Sequence, residues 1–97
     1  MKELELSEND IKVTIRGYLR ARNIFSFHNL QGLGCYPGVP DRTIVYHGRV
    51  IFVEVKKKGG KLNPSQELFR ANCLAEGVEH LVVHSFEEFQ ERFEALG

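Results

Sequence analysis

The stretch that decides the fold is GVPDRTIVYHGRVIFVEVK, which runs from Gly38 to Lys56. Residues 43–47 and 50–53 are rich in β-branched and aromatic side chains, which favour pleated strands. Between them, His47 and Gly48 tolerate the positive φ angles that a two-residue hairpin turn requires. The stretch therefore predicts a β-hairpin with its turn at these two residues.

The predicted hairpin gathers three charged side chains at its open end. With the turn at His47 and Gly48, Asp41 lies opposite Glu54, and Lys56 lies on the same face because side chains alternate along a strand. A turn shifted by one residue pairs Asp41 with Lys56 instead. Both registers keep the three groups together.

Two neighbouring carboxylates repel each other, which raises a pKa unless a cation lies between them. Their hard oxygen atoms suit Mg²⁺ or Mn²⁺, ions that commonly bridge protein carboxylates and phosphate oxygens. A metal ion there can polarise a phosphodiester and acidify bound water, while the lysine positions that water or offsets developing charge. The alternative is a solvated salt bridge at a strand end.

Length and composition indicate one ordinary globular domain, residues 1–97. The chain is 42% apolar and 27% charged, which is typical of a folded soluble domain. It has no apolar run of membrane-spanning length and no signal peptide. Its two cysteines, Cys35 and Cys73, lack metal-type spacing, so we expect reduced thiols in a cytoplasmic protein. The glycine-rich segment 31–40 precedes a strand rather than a helix, so it does not predict a dinucleotide cofactor.

The net charge of zero conceals a strong asymmetry. Residues 12–61 carry ten Lys or Arg against two acids, whereas residues 1–11 and 62–97 are both acidic. The two acids in the basic segment are Asp41 and Glu54. This distribution is typical of a polyanion-binding surface around a metal site.

A lysine-rich connector follows the hairpin. We predict that Lys56, Lys57, Lys58 and Lys61 contact phosphates; the alternative is a solvated basic turn. Gly38 would let the backbone approach a substrate closely, although a turn glycine with positive φ is an equal alternative. Together with Arg42, these residues form the predicted DNA-binding set.

Five further elements are predicted from apolar periodicity and capping signals. They are a helix at about 8–22, a strand at 24–28, a helix from Pro64 to about Glu76, a strand at 78–84 and a final helix after Ser85. Three polar pairs have capping-box spacing: Ser7 with Asp10, Asn63 with Gln66, and Ser85 with Glu88. The second helix has an apolar side that includes Leu68, Phe69, Cys73 and Leu74. The last helix carries a stripe, Phe86, Phe89, Phe93 and Leu96, expected in the core or at a dimer contact.

The order helix, three strands, helix, strand, helix resembles the PD-(D/E)xK nuclease superfamily, whose core is αβββαβ. Within it, the chain is similar to a VRR-NUC domain over about residues 7–90. The likeness is carried by Glu8, Gly38-Val39-Pro40-Asp41, Glu54-Val55-Lys56 and Ser65-Gln66. The fold expected is therefore a mixed α/β (α+β) fold with a restriction-endonuclease-like core and an extra C-terminal helix.

The resemblance implies a Mg²⁺- or Mn²⁺-dependent phosphodiesterase that acts on DNA. It assigns metal binding to Asp41, Glu54 and the Val55 carbonyl, with Glu8 as a further metal ligand that would complete or support the site. It assigns assistance to the attacking water to Lys56, and orientation of water or substrate to Gln66. The alternative for Glu8 is an acid that favours the helix dipole. The alternative for Gln66 is a purely structural cap.

Small stand-alone members of this family are associated with phages and bacteria and resemble Holliday-junction resolvases in forming dimers. The leading hypothesis is a homodimeric, structure-selective DNA endonuclease that cuts Holliday junctions or other branched DNA in the cytoplasm of a bacterium or phage-infected host. One alternative is a catalytically weak DNA-binding module of a recombination or repair complex. Another is a small sheet protein that binds a protein partner.

Overall fold

A computed structural model describes residues 6–97. Its elements are α1 (Glu8–Ala21), β1 (Phe25–His28), β2 (Arg42–Tyr46), β3 (Arg49–Val55), α2 (Pro64–Ala75), β4 (Glu79–Val83) and α3 (Phe86–Ala95). Every element predicted from the sequence is present, in the predicted order and with small shifts at its ends. The three helices and one mixed sheet confirm a mixed α/β (α+β) architecture. No helix among the described residues is long and apolar enough to cross a membrane.

The four strands form one sheet in the order β1-β2-β3-β4. The first two pairings are antiparallel, and β3 pairs with β4 in parallel. Tyr46 pairs with Arg49 and Thr43 with Phe52, which confirms the first of the two predicted registers. The turn residues His47 and Gly48 have φ angles of 51° and 78°, as a tight hairpin turn requires.

The parallel pairing of β3 and β4 requires a crossover, and α2 supplies it on one face of the sheet. The other face packs against α1 and α3. That interface is the core, and it contains Ile11, Ile15, Tyr18 and Leu19 of α1, Ile44, Ile51, Val53, Val55, Leu81 and Val83 of the sheet, and Phe89 and Phe93 of α3. Phe86 and Leu96 pack against it while partly buried, so the stripe predicted in the last helix serves the core.

Capping groups fix where the helices begin. The reciprocal capping boxes Ser7–Asp10 and Asn63–Gln66 are both formed. At α3, the Ser85 hydroxyl accepts a hydrogen bond from the Glu88 main-chain nitrogen at 3.0 Å. These bonds satisfy main-chain N–H groups that have no partner inside a helix.

The predicted apolar side of α2 is wrong for two of its four residues. Cys73 is buried and Phe69 packs edge-on against Phe52 of β3, with ring centroids 5.2 Å apart. Leu68 and Leu74, however, are 64% and 47% exposed. They lie roughly 140° and 100° from Cys73 around the helix axis, so they cannot face the sheet together with it.

Candidate functional site

Asp41 and Glu54 meet at the open end of the hairpin, as the register requires. Arg42 pairs with Val53, which places the two acidic residues opposite each other on the adjoining positions. One Asp41 carboxylate oxygen, Oδ2, accepts a hydrogen bond from the Val55 main-chain nitrogen at 2.7 Å. This bond crosses the hairpin and holds the Asp41 carboxylate against the end of β3.

Glu54 is a buried acid whose hydrogen bonding is incomplete. The residue is 3% exposed. Its Oε1 accepts a hydrogen bond from Gln66 Nε2 at 3.3 Å. Its Oε2 is buried and has no hydrogen-bond partner among residues 6–97. A buried acceptor without a partner is costly, so this oxygen marks a place for a proton or a cation.

Burial raises the pKa of Glu54 to about 8, and the negative charge of the neighbouring Asp41 acts in the same direction. The ammonium groups of Lys56 and Lys12 oppose this rise. A carboxyl group in such an environment favours the protonated form at neutral pH unless another positive charge arrives. The pair is therefore suited electrostatically to a cation.

Lys12 belongs to the site, although it is not among the site residues predicted from the sequence. Its Nζ lies 3.0 Å from Asp41 Oδ1, and the Asp41 side chain is 11% exposed. A signal was available: Lys12 follows Glu8 by four residues, so both lie on the same side of the predicted first helix. Placing Glu8 at the hairpin end therefore brings Lys12 to it as well.

Glu8 and Lys56 lie at the rim of the carboxylate pair. Glu8 Oε2 accepts a hydrogen bond from the Lys57 main-chain nitrogen at 3.3 Å, which ties the start of α1 to the end of β3. The half-buried Lys56 is close enough for its charge to lower the pKa of Glu54. Neither residue forms a hydrogen bond or salt bridge with Asp41 or Glu54.

Gln66 forms the predicted cap of α2 and also contacts Glu54. Its Oε1 accepts a hydrogen bond from the Asn63 main-chain nitrogen at 2.9 Å, and its Nε2 donates to Glu54. The capping geometry of α2 therefore also fixes the side chain that contacts the buried acid. A cap and a site residue are the same group.

The predicted DNA-contacting residues occupy separate places. Lys57, Lys58 and Lys61 are exposed on the connector after β3 and form no salt bridge within residues 6–97. Arg42 lies on the sheet face that packs against α1, where its Nη1 donates to Ser26 Oγ at 2.8 Å. It therefore projects to the opposite face from Glu54.

Gly38 allows a close backbone approach, and its partner is the start of α2. Its φ is 79°, and a Cβ atom built on it would lie 2.1 Å from the Ser65 carbonyl oxygen. The glycine lets the loop 31–40 pack against the start of α2, where Gln66 is positioned. This contact accounts for the residue without a ligand.

The donor set fits a hard divalent cation. The Asp41 and Glu54 carboxylates lie together at the open end of the hairpin, and the partnerless Glu54 oxygen supplies a free acceptor. No group of three His, Cys, Asp or Glu side chains able to hold a metal occurs within residues 6–97. Mg²⁺ commonly binds through one or two carboxylates and keeps several waters, so two acids match its usual requirement.

No family model matches the sequence, and a search of curated proteins also found no match. The similarity to a VRR-NUC domain therefore stays a prediction that rests on the motif residues.

Replacing Glu54 with glutamine should change how stability depends on pH. Because the pKa of Glu54 is raised in the folded state, its stabilising contribution is complete below pH 4.5 and is lost as the pH rises through about 8. Without metal, E54Q should gain on the order of 2–4 kcal/mol relative to the parent across this interval. Urea unfolding in EDTA at a series of pH values measures the difference. The exposed-site variant E91Q should follow the parent, and identical pH profiles for E54Q and the parent would contradict the buried-acid interpretation.

Replacing Gly38 with alanine should destabilise the protein by about 3 kcal/mol or more, because the new methyl group meets the Ser65 carbonyl. The matched control is Gly34→Ala. Gly34 also has positive φ, but nothing lies within 4 Å of the place its new methyl group would take, so roughly 1 kcal/mol is expected from φ alone. Chemical denaturation of both variants gives the comparison. Equal losses would show that the contact with α2 is unimportant.

Proposed function

We propose that this protein is a Mg²⁺- or Mn²⁺-dependent DNA endonuclease with a restriction-endonuclease-like core. The observation that carries the proposal is the buried Glu54 carboxylate, which lies beside Asp41 and has one oxygen without a partner among residues 6–97. Elsewhere the segment 12–61 is basic, so negative charge is concentrated where a cation is needed. The order α1-β1-β2-β3-α2-β4 agrees with the αβββαβ core, and α3 is the additional helix.

In this proposal each site residue has a distinct task. A divalent cation, when bound, polarises a phosphodiester oxygen and lowers the pKa of a bound water. Asp41, Glu54 and the Val55 carbonyl would hold it. Gln66 orients the Glu54 carboxylate through the hydrogen bond at 3.3 Å.

The lysines and Glu8 complete the proposed site. Lys56 offsets the negative charge that develops on the phosphate or positions the attacking water. Lys12 neutralises Asp41 before a cation binds, because its ammonium group already lies 3.0 Å from that carboxylate. Glu8 holds the start of α1 against the connector, so that Lys12 stays within reach of the site.

A second copy of the chain would complete the proposed assembly. Within residues 6–97, the face of the sheet that carries α2 is left partly exposed at the ends of its strands nearest the hairpin turn. On the uncovered part, Phe25 and Phe27 are 65% and 44% exposed, and Val45 and Val50 are exposed beside them. Phe25 pairs with Val45, and Val45 pairs with Val50, so these side chains form one continuous row across three strands.

The apolar character of this face favours a copy of itself. Its four exposed side chains offer roughly 350 Å² per protomer, against the about 800 Å² that one partner buries in a standard interface, so contacts around the row would complete the interface. No charged side chain interrupts the row, so the face suits an identical apolar face better than a phosphate backbone. A two-fold pair would carry two sites, as symmetric cutting of a junction requires.

Cleavage assays should compare a four-way junction with flap, nicked and linear DNA of matched sequence, in Mg²⁺, Mn²⁺ or EDTA. We expect metal-dependent cutting of branched DNA by the parent, and a loss of at least about 100-fold in K56A and E54Q because each lacks a group at the reacting phosphate. DNA binding should persist in both variants, and E91Q should cut as the parent does. Metal should also raise the melting temperature of the parent but not of E54Q.

The pattern of cutting separates the alternatives. If only flaps or linear DNA are cut, the proposed nuclease activity would be retained and the preference for junctions rejected. Binding without cutting in either metal would reject the enzyme and favour the catalytically weak DNA-binding module. Cutting by E54Q at the parental rate would reject the proposed site.

Replacing Phe25 with glutamate should convert the dimer to a monomer, because it places a charge in the middle of the apolar row. Sedimentation equilibrium gives the mass directly. The control is Leu33→Glu, which introduces the same charge at a fully exposed loop position and should leave a dimer. A monomeric parent, or a dimeric F25E protein, would reject this interface.

A further inference from the structure

A basic groove adjoins the carboxylate pair on the other face of the sheet. It lies between α1 and the ends of β1 and β2 and has a volume of about 280 Å³. Its lining includes Lys12, Arg16, His28, Asn29, Asp41 and Arg42. Asp41 therefore belongs both to the candidate site and to the end of this groove.

The helix supplies a regular row of positive charges, of which Lys12 and Arg16 line the groove. Lys12, Arg16 and Arg20 follow one another at intervals of four residues, so they lie on one side of α1. Each step advances about 6 Å along the helix axis, which is comparable with the separation of neighbouring phosphates on an extended nucleic-acid strand. The buried residues Ile11 and Ile15 immediately precede two of them, which places the row at the edge of the contact between α1 and the sheet.

Arg42 faces this row from the sheet. Burial lowers its pKa, and the charges of Arg16 and Arg20 lower it further. Within residues 6–97, none of these three arginines forms a salt bridge with a carboxylate. Arg16 and Arg42 both line the groove, and the acid in its lining, Asp41, is already paired with Lys12. Like charges held together repel, and a bound anion would relieve the repulsion.

We propose that the groove binds the sugar-phosphate backbone of one nucleic-acid strand, with Arg16, Arg20 and Arg42 on successive phosphates and the strand leading to Asp41. This strand path rests on the proposed function. It specifies the route by which the DNA backbone reaches the carboxylates, which runs along α1 rather than over the lysine connector. Guanidinium groups suit phosphate oxygens through paired N–H donors. The contacts carry no base recognition, so binding should be independent of sequence.

The test measures DNA binding by fluorescence anisotropy in EDTA, with a fluorescein-labelled four-way junction and a labelled single strand. It compares two double variants that remove the same charge: R16Q/R20Q in the groove and K57Q/K58Q in the connector. All four positions are exposed, so both variants should fold, and thermal melting checks this. The titrations are repeated over a range of salt concentrations.

We expect R16Q/R20Q to weaken binding roughly tenfold or more at about 0.1 M salt, and to lower the slope of log K against log salt by about 1.5 to 2. The connector variant should lose clearly less. If both variants lose the same affinity for DNA, or if the connector variant loses more, the proposed role of the groove would be rejected. Only a general effect of positive charge on DNA binding would then be supported. The single variant R42Q should weaken binding in the same direction as the groove variant.

Cleavage by the same proteins separates this inference from the proposed function. If the parent cuts DNA with metal but the groove variant binds DNA as well as the parent does, the groove proposal would be rejected and the nuclease proposal retained. If DNA binding depends on the groove residues but no metal supports cutting, the nuclease proposal would be rejected and the groove proposal retained. A parent that binds neither labelled DNA would reject both.

Discussion

A carboxylate kept away from water beside a second carboxylate is the constraint on which the rest of the site depends. Glu54 tolerates this position because Gln66 donates to one oxygen and because Lys12 and Lys56 lie nearby. Two helices also begin here, since Gln66 is in the first turn of α2 and Glu8 in that of α1. The first turns of both helices therefore supply side chains that hold the end of β3 in place.

The hairpin holds this arrangement in register from both ends. At one end, His47 and Gly48 both adopt positive φ, which fixes the length of the turn. At the other, the bond between Asp41 and the Val55 amide ties the two chains together. A turn moved by one residue would pair Asp41 with Lys56 instead of Glu54, so the turn chemistry at the distant tip determines which side chain lies opposite Asp41.

Local signals were sufficient to predict the elements, their caps and a hairpin with two possible registers, because each depends on residues close together in the sequence. It was harder to predict which residues of each helix face the sheet. The exposure of Leu68 follows from its angular position about 140° from Cys73 around the axis of α2, so helical periodicity could have predicted it. The alignment of Arg16 with Arg42, by contrast, depends on how α1 packs against the sheet. Such relations are set by tertiary packing, which sequence periodicity does not specify. The acids at the hairpin end were predictable because strand pairing alone brings them together.

The double use of Gln66 leaves little freedom for substitution. Its oxygen accepts from the Asn63 amide while its nitrogen donates to Glu54. Glutamate would keep the first bond but add a third negative charge, and leucine would keep neither. Asparagine is one methylene shorter and would have to give up one of the two contacts. A neutral side chain of this length with both a donor and an acceptor is needed, so a glutamine three residues after a helix cap offers a compact signature for recognising distant relatives whose other residues have diverged.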